Sequence, residues 1–382
     1  MDSFYEMKKV KFIVKSLIHI GSVEQKLTPF EYIHRGQYVY SISEEKLSRF
    51  LLKWNLIDPY VRAVDRDAHR FRIMDFFSQN GIHLKDEDFV TLSAGRRIKV
   101  LGDTSKLQDY RPFIRDGLGD VYIPGTSLKG VFRTAILYNI LARLKSEDPK
   151  GFQERVEQRI LADVNKKVNK KRLFEWGIER WFESFQLDRK EKCPNTDWLR
   201  MLYVTDAYAK EKLETILIPV NVLKKEAHGW VYKKEKSGKD TTIWVECLPE
   251  GATLEFQITW DRRLLEEFRK KNKNIQLPQS IDEVFSYTTK WSNDITKFER
   301  NFSTGHDLQK WYKNNLENFR IGFGSGMTST TISILFEDEL RKKIRNYAGL
   351  NRGNEIAPKS RRVWIKNNQP VPLGWVFLEF IE

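Results

Sequence analysis

The sequence predicts an α+β protein, on three observations. Short runs of alternating polarity that suit strands occur in both halves, runs with helical apolar spacing stand between them, and the two kinds follow no regular βαβα order. That combination favours two antiparallel sheets, each backed by helices. With 382 residues the chain is long enough for two cores, and 40% hydrophobic and 13% aromatic content marks it as folded. A break near 210–215, placed to within about 15 residues, divides it into 1–212 and 213–382. No internal repeat is visible.

Residues 8–20 (KKVKFIVKSLIHI) form the first strand, stopped by Gly21-Ser22. A second strand is expected at 37–42 and a helix over about 44–54, with Leu47, Phe50, Leu51 and Trp54 on its apolar side. The stretch 60–120 is less regular and reads as inserted helix and loop. Helix then runs from about Thr126 to Leu144, and 151–186 is charged and helical around Phe174, Trp176, Trp181 and Phe182. Strands follow at 200–205, 215–223, 241–247 and 252–260, two of them flanking a basic turn at 236–239 that predicts a long hairpin. Helices at about 281–300, 307–318 and 332–346 and a terminal strand, 374–381, complete the order.

The segment IPGTSLKGVFRTAI (123–136) carries the most chemistry. Pro124 and Gly125 make a turn, and Thr126 or Ser127 suits the N-cap of the helix that follows. A helix start offers unpaired N–H groups and the positive end of its dipole to an anion. Lys129 and Arg133, four apart, share one face of the first turns. The helix body is apolar almost all round, so only its start is expected at the surface. These features alone do not separate RNA from DNA, nucleotide or sulfate.

Lys+Arg number 66 against 52 Asp+Glu, a net charge of +14. The excess concentrates at 165–172, 233–239, 269–274 and 359–366. Such runs suit solvated faces, and with aromatics nearby they also suit single-stranded RNA. Gly322-x-Gly324-x-Gly326 fits neither a dinucleotide fingerprint nor a P-loop, because it lacks the preceding strand and Met327 stands where a P-loop has its Lys. It reads as a tight structural loop or as a backbone surface open to close approach by RNA.

The six histidines have no metal-ligand spacing, and no nucleophile elbow is present, so no metal or cofactor is expected. His19, at the end of the first strand, reads as a satisfied hydrogen-bonding histidine or as a general acid/base near RNA. Asp103, Asp109, Asp116 and Asp120 have no spacing that fixes a metal geometry. Cys193 and Cys247 cannot make a disulfide framework and fit a reducing, cytoplasmic setting. No run of about 18 apolar residues suggests a membrane span, and the opening residues resemble a strand rather than a signal peptide.

Several of these pieces together resemble the RAMP superfamily of CRISPR proteins. They are IHIGS (18–22), LTPFEYI (27–33), IPGTSLKGVFRTAI, LYVTDA (202–207), RIGFGSG (320–326) and PLGWVFLEF (372–380). The LTPFEYI and PLGW segments are similar to the fifth-subunit family of type III-A (Csm) effector complexes. Thr126 stands where that family usually has serine, and the glycine-rich loop is shorter than in many RAMPs.

The resemblance implies two ferredoxin-like (RRM-like) domains with inserted helices and hairpins. It also implies noncatalytic binding of CRISPR guide RNA near its 3′ end. Its partners would be the Csm backbone and small subunits, with host nucleases drawn in for guide maturation. The filament subunits' cleaving aspartate has no counterpart, since SVEQK follows Gly21. On this basis the expected RNA contacts are Gly125, Thr126, Ser127, Lys129, Arg133, His19, Arg320, Gly322, Gly324 and Gly326. The 225–240 hairpin reads as a thumb-like element or a plain solvated hairpin. The rival reading is a CRISPR-RNA-processing endoribonuclease that uses a histidine.

Overall fold

The computed structural model describes residues 4–22, 26–68, 71–93, 95–185, 196–226, 228–236, 238–272, 277–314, 319–349 and 358–381. Strand β1 (Tyr5–Val14) opens the chain, followed by β2 (Tyr32–Arg35) and β3 (Tyr38–Ser41). Four helices come next: α1 (Glu44–Lys53), α2 (Ile57–Asp67), α3 (Ile73–Gln79) and α4 (Asp86–Leu92). Then come β4 (Arg97–Val100), β5 (Tyr110–Arg111) and the long helix α5 (Gly125–Glu147). Short helices α6 (Pro149–Phe152), α7 (Gln158–Asn165) and α8 (Glu175–Ile178) lead to β6 (Leu202–Val204).

The second half begins with β7 (Ile216–Glu226), β8 (Gly229–Tyr232), β9 (Thr242–Cys247) and β10 (Thr253–Asp261). Helices α9 (Arg262–Lys271), α10 (Ile281–Phe302) and α11 (Leu308–Asn314) precede β11 (Phe319–Arg320), α12 (Gly326–Thr330) and α13 (Asp338–Tyr347). The chain closes with β12 (Ser360–Lys366), β13 (Gln369–Pro372) and β14 (Trp375–Ile381).

The mixed α+β architecture is as expected, with two sheets. The first has the order β11-β14-β1-β10-β6 and every pairing in it is antiparallel. Read as β1, α5, β6, β10, α10, β14, this is the βαββαβ order of a ferredoxin-like unit. Alternation on β1 turns Val10, Phe12 and Val14 toward the helices. Helices α5 and α10 cover that face: Phe132 meets Phe285 at 5.5 Å, and Phe285 meets Phe380 of β14 at 4.5 Å. Asn139 also donates to the Tyr287 carbonyl at 2.8 Å. Burial on both sides explains why α5 is apolar all round.

The second sheet runs β13-β12-β7-β4-β3-β2, with β8 and β9 also on β7 and β5 on β9. Its β4–β7 and β5–β9 pairings are parallel and the others antiparallel. Helices α1, α3 and α4 pack on its β2–β3 edge around Ile33, Phe77 and Phe89.

Two expectations need correction, and one open pair of readings is resolved. The break near 210–215 does not separate the sheets, because β1 pairs with β10 and β14 and β4 pairs with β7. The first sheet closes only when the chain's last strand returns beside its first. Of the two readings of 225–240 the described residues fit the plain hairpin rather than the thumb: β8 lies along β7, Trp230 packs on Phe302 at 5.4 Å and His306 at 5.0 Å, and a backbone bridge joins Lys234 to Asp240 in an exposed turn. The helix at 123–136 is not capped by Thr126 or Ser127, for its N-cap is Pro124.

Candidate nucleic-acid interface

The glycine-rich segment leaves β11 and runs between the end of the first strand's segment and the β13–β14 connection. Ile321 N–H donates to the Gly374 carbonyl at 2.8 Å and Phe323 N–H to the His19 carbonyl at 2.8 Å. Gly322, Gly324 and Gly326 have φ of 79°, 93° and 65°. A Cβ at Gly322 would stand on the His19 carbonyl oxygen, so this glycine is demanded by the chain's own packing. One at Gly326 would enter open space. The loop is therefore a tight structural element at its start and an open backbone at its end.

Phe323 projects from this loop between two arginines. The guanidinium of Arg362 (β12) lies 4.5 Å from the ring centroid and that of Arg111 (β5) 5.4 Å, with the His19 ring edge-on at 5.6 Å. Beneath them Arg320 is only 1% exposed. Its Nε donates to the Leu373 carbonyl at 2.8 Å, while Nη1 and Nη2 have no partner among the described residues. Arg111 Nε is likewise buried and unpartnered. A Cβ at Gly324 would lie 3.9 Å from Arg320 Nη2, so the loop backbone passes directly over that group.

The proton affinity of Arg362 is lowered, first by desolvation against the ring and then by Arg111 and Arg320. Among the described residues none of the three arginines forms an ion pair with a carboxylate. Arg320 lies in the field of Glu299 and Tyr312, which oppose its desolvation, whereas Arg111 and Arg362 face the loop with no carboxylate paired to them, and a phosphate beside those two would add charge-assisted hydrogen bonds. The exposed end of the loop supplies the close backbone approach.

The sequence matches the RAMP superfamily over residues 11–326. The chain belongs to the RAMP superfamily. This RAMP chain is 22% identical over 97% of its length to the CRISPR system Cms protein Csm5 of Methanocaldococcus jannaschii, covering 84% of that protein. It is 23% identical to Csm5 of Streptococcus thermophilus over 71% of its own length and 70% of that protein. Among solved structures it matches a chain of a Csm–crRNA–target RNA ternary complex of a type III-A CRISPR-Cas system, with TM-score 0.66 and 21% identity. That match covers 98% of this chain and all of the other. The crystal structure of T. onnurineus Csm5 is also similar, with TM-score 0.60 and 18% identity over 97% of this chain and all of that one. These two likenesses carry the fold.

On the RAMP scaffold the start of α5 differs from its sequence reading. Gly125 N–H already donates to Asp206 Oδ1 at 2.7 Å, so a carboxylate from the LYVTDA segment occupies the positive end of the helix. Gly125 is needed there because a Cβ would stand on the Val204 carbonyl. Arg133 is paired with Asp197 and lies 4.6 Å from the Phe182 ring centroid, which takes it out of the set of free cations. Lys129 is half-buried beside them; burial lowers its proton affinity, Asp197 opposes this and Arg133 adds to it. Thr126 is exposed and Ser127 half-buried.

His19 is buried, its Nδ1 2.7 Å from the Glu246 carbonyl, and burial lowers its pKa. It is a neutral packing residue, with its ring against Phe113 and Phe323. Of the two readings of His19, the structure fits the satisfied, hydrogen-bonded histidine, and the acid/base reading meets a buried imidazole.

The four aspartates have structural work. Asp103 caps a short turn through Ser105 N–H, Asp109 pairs with Lys26 at 2.7 Å, and Asp116 accepts from Leu118 and Asp120 N–H within its own turn. Asp120 closes that turn through its carbonyl. Cys247 is a buried free thiol, and Cys193 lies outside the described residues. Among the described residues no helix is long and apolar enough to cross a membrane.

Arg111 and Arg362 are absent from the sequence-based contacts. Arg362 lies in the basic run 359–366, and the Asn367-Asn368 turn after it, with φ of 49° and 63°, is a hairpin signal that would have placed it on a strand. Arg111 sits in an irregular stretch and has no such signal.

Proposed function

We propose that this chain is a noncatalytic RNA-binding subunit of a type III-A CRISPR (Csm) effector complex in the cytoplasm. It caps the backbone filament near the 3′ end of the guide RNA, docks on the Csm backbone and small subunits, and supports guide maturation by host nucleases. The observation that carries this reading is the convergence of Arg111, Arg320 and Arg362 on Phe323 and the glycine-rich loop, with no carboxylate paired to any of them. Likeness to Csm5 proteins and to a chain of a Csm–crRNA–target RNA complex supports guide RNA as the anion.

In this reading Arg111 and Arg362 grip backbone phosphate, buried Arg320 adds positive potential from beneath the loop without touching it, and Gly326 lets the strand come close. Thr126, Ser127 and Lys129 supply secondary contacts at the start of α5. No observation favours cleavage by this chain.

The test replaces both surface arginines, Arg111→Gln with Arg362→Gln, in the assembled complex. Guide retention is expected to fall on the order of tenfold, and the dependence of binding on salt to flatten by about 1.4 in log–log slope for two lost phosphate contacts. Unchanged retention in a correctly folded double variant contradicts the reading.

A further inference from the structure

A second cationic surface stands on the β2–β3–β4 edge of the second sheet. In the strand register Arg35 lies opposite Tyr38, and Tyr38 opposite Lys99. Directly opposed residues point to one face, so these three form a row across the strands. Arg97, two residues before Lys99 on β4, points the same way, and its guanidinium lies 4.5 Å from the Tyr38 ring centroid. Ile33 and Tyr40, also on this face, are covered by the helical insertion around Phe77 and Phe89. Arg35, Arg97 and Lys99 are exposed, and Tyr38 is half-buried.

The charge of the row is largely unopposed. Arg35 pairs with the exposed Asp86 at 3.0 Å, but Arg97 and Lys99 form no ion pair among the described residues. The row ends in a depression of about 450 Å³, lined by Gly36, Gln37, Lys99, Gly102 and Thr104. A side chain at Gly36 would meet nothing, so backbone is open to a ligand there.

The row shares a face with the glycine-loop arginines. On β7, Ile216 pairs with Lys99 and Val222 with Arg362, and these two even-numbered positions point to the same side. Six residues of strand separate them, a rise of about 20 Å, and Ile218 and Val220 between them are buried in a cluster with Leu17 and Leu373, so RNA spanning the two sites would pass over that cover. Resting on the RNA-binding reading above, we propose that Arg35, Tyr38, Arg97 and Lys99 form a second contact for single-stranded RNA, on a strand that continues from the glycine-rich loop across this face. Tyr38 holds the Arg97 guanidinium flat, a plane on which a base stacks, while Lys99 and Arg35 take the flanking phosphates.

The experiment measures binding of the full-length chain to oligouridines of about 4 and about 16 nucleotides, by fluorescence anisotropy. The variant Arg97→Gln with Lys99→Gln is expected to weaken the long RNA about tenfold, to flatten its log–log salt slope by about 1.4, and to leave the short RNA unchanged. Tyr38→Leu also weakens the long RNA, and Tyr38→Phe restores it. An unchanged long-RNA affinity, or equal loss for both lengths, overturns the second contact.

Arg111→Gln with Arg362→Gln is measured in parallel. If that pair weakens binding and the row variant does not, only the second contact falls. If neither variant weakens binding, or the unaltered chain binds neither RNA, the RNA-binding reading falls as well. Intact RNA binding with lost complex assembly would assign the row to an acidic protein surface and overturn the proposal.

Discussion

Gly322 and Gly326 share a sequence motif and a left-handed backbone but do different physical jobs. At Gly322 a Cβ would collide with the His19 carbonyl and come within 2.8 Å of Ile20, in addition to the backbone strain at φ 79°. At Gly326 only the strain at φ 65° remains, since nothing lies within 4 Å. Gly322→Ala is therefore expected to destabilise the fold by about 2–4 kcal/mol and Gly326→Ala by about 1–2 kcal/mol. Urea unfolding midpoints measure the difference; equal shifts for the two variants would contradict the packing role of Gly322. The glycines were legible in the sequence as loop residues. Their division of labour was not, because it depends on His19, about 300 residues away along the chain. The same holds for Arg320 and Arg133, whose charge was readable but whose partners, Leu373 and Asp197, are set by tertiary contacts.

Among the elements, α5 was read most fully. Its extent, its apolar body and the exposure of its first turn follow from residue spacing, and the structure has it at Gly125–Glu147 with Leu128, Phe132, Ile136 and Leu141 buried. The cap was misplaced because Asp206 arrives from another strand's end, and no local pattern announces it. Asp206→Ala removes that cap and is expected to cost about 1 kcal/mol of stability while leaving RNA affinity unchanged or raised. A fall in RNA affinity with stability intact would contradict the purely structural role of Asp206. Strands β12 and β13 were missed because a run of Lys and Arg dominates the segment that carries Val363 and Trp364. Helix α9, begun by Asp261 accepting from Leu264 N–H, was missed for a similar reason, since its apolar face is only a few residues wide.

At the scale of the whole molecule, fold class was legible and domain division was not. Strand and helix periodicities are local properties, whereas the pairing of β1 with β14 joins residues 9–14 to 376–381 and leaves no trace in either segment alone. That closure is also what creates the candidate site, because it brings Gly374 and Leu373 against the loop at 320–326. Arg111 and Arg362, from distant parts of the sequence, meet around Phe323 on a RAMP scaffold, with Arg320 buried under the same loop against Trp375. The most direct measurement is ultraviolet crosslinking of guide RNA in the assembled complex, with the attached peptides identified by mass spectrometry. Crosslinks at 320–326, centred on Phe323, with further ones at 359–366 are the predicted result. Guide RNA crosslinked to this chain only elsewhere, or not at all, would contradict the account.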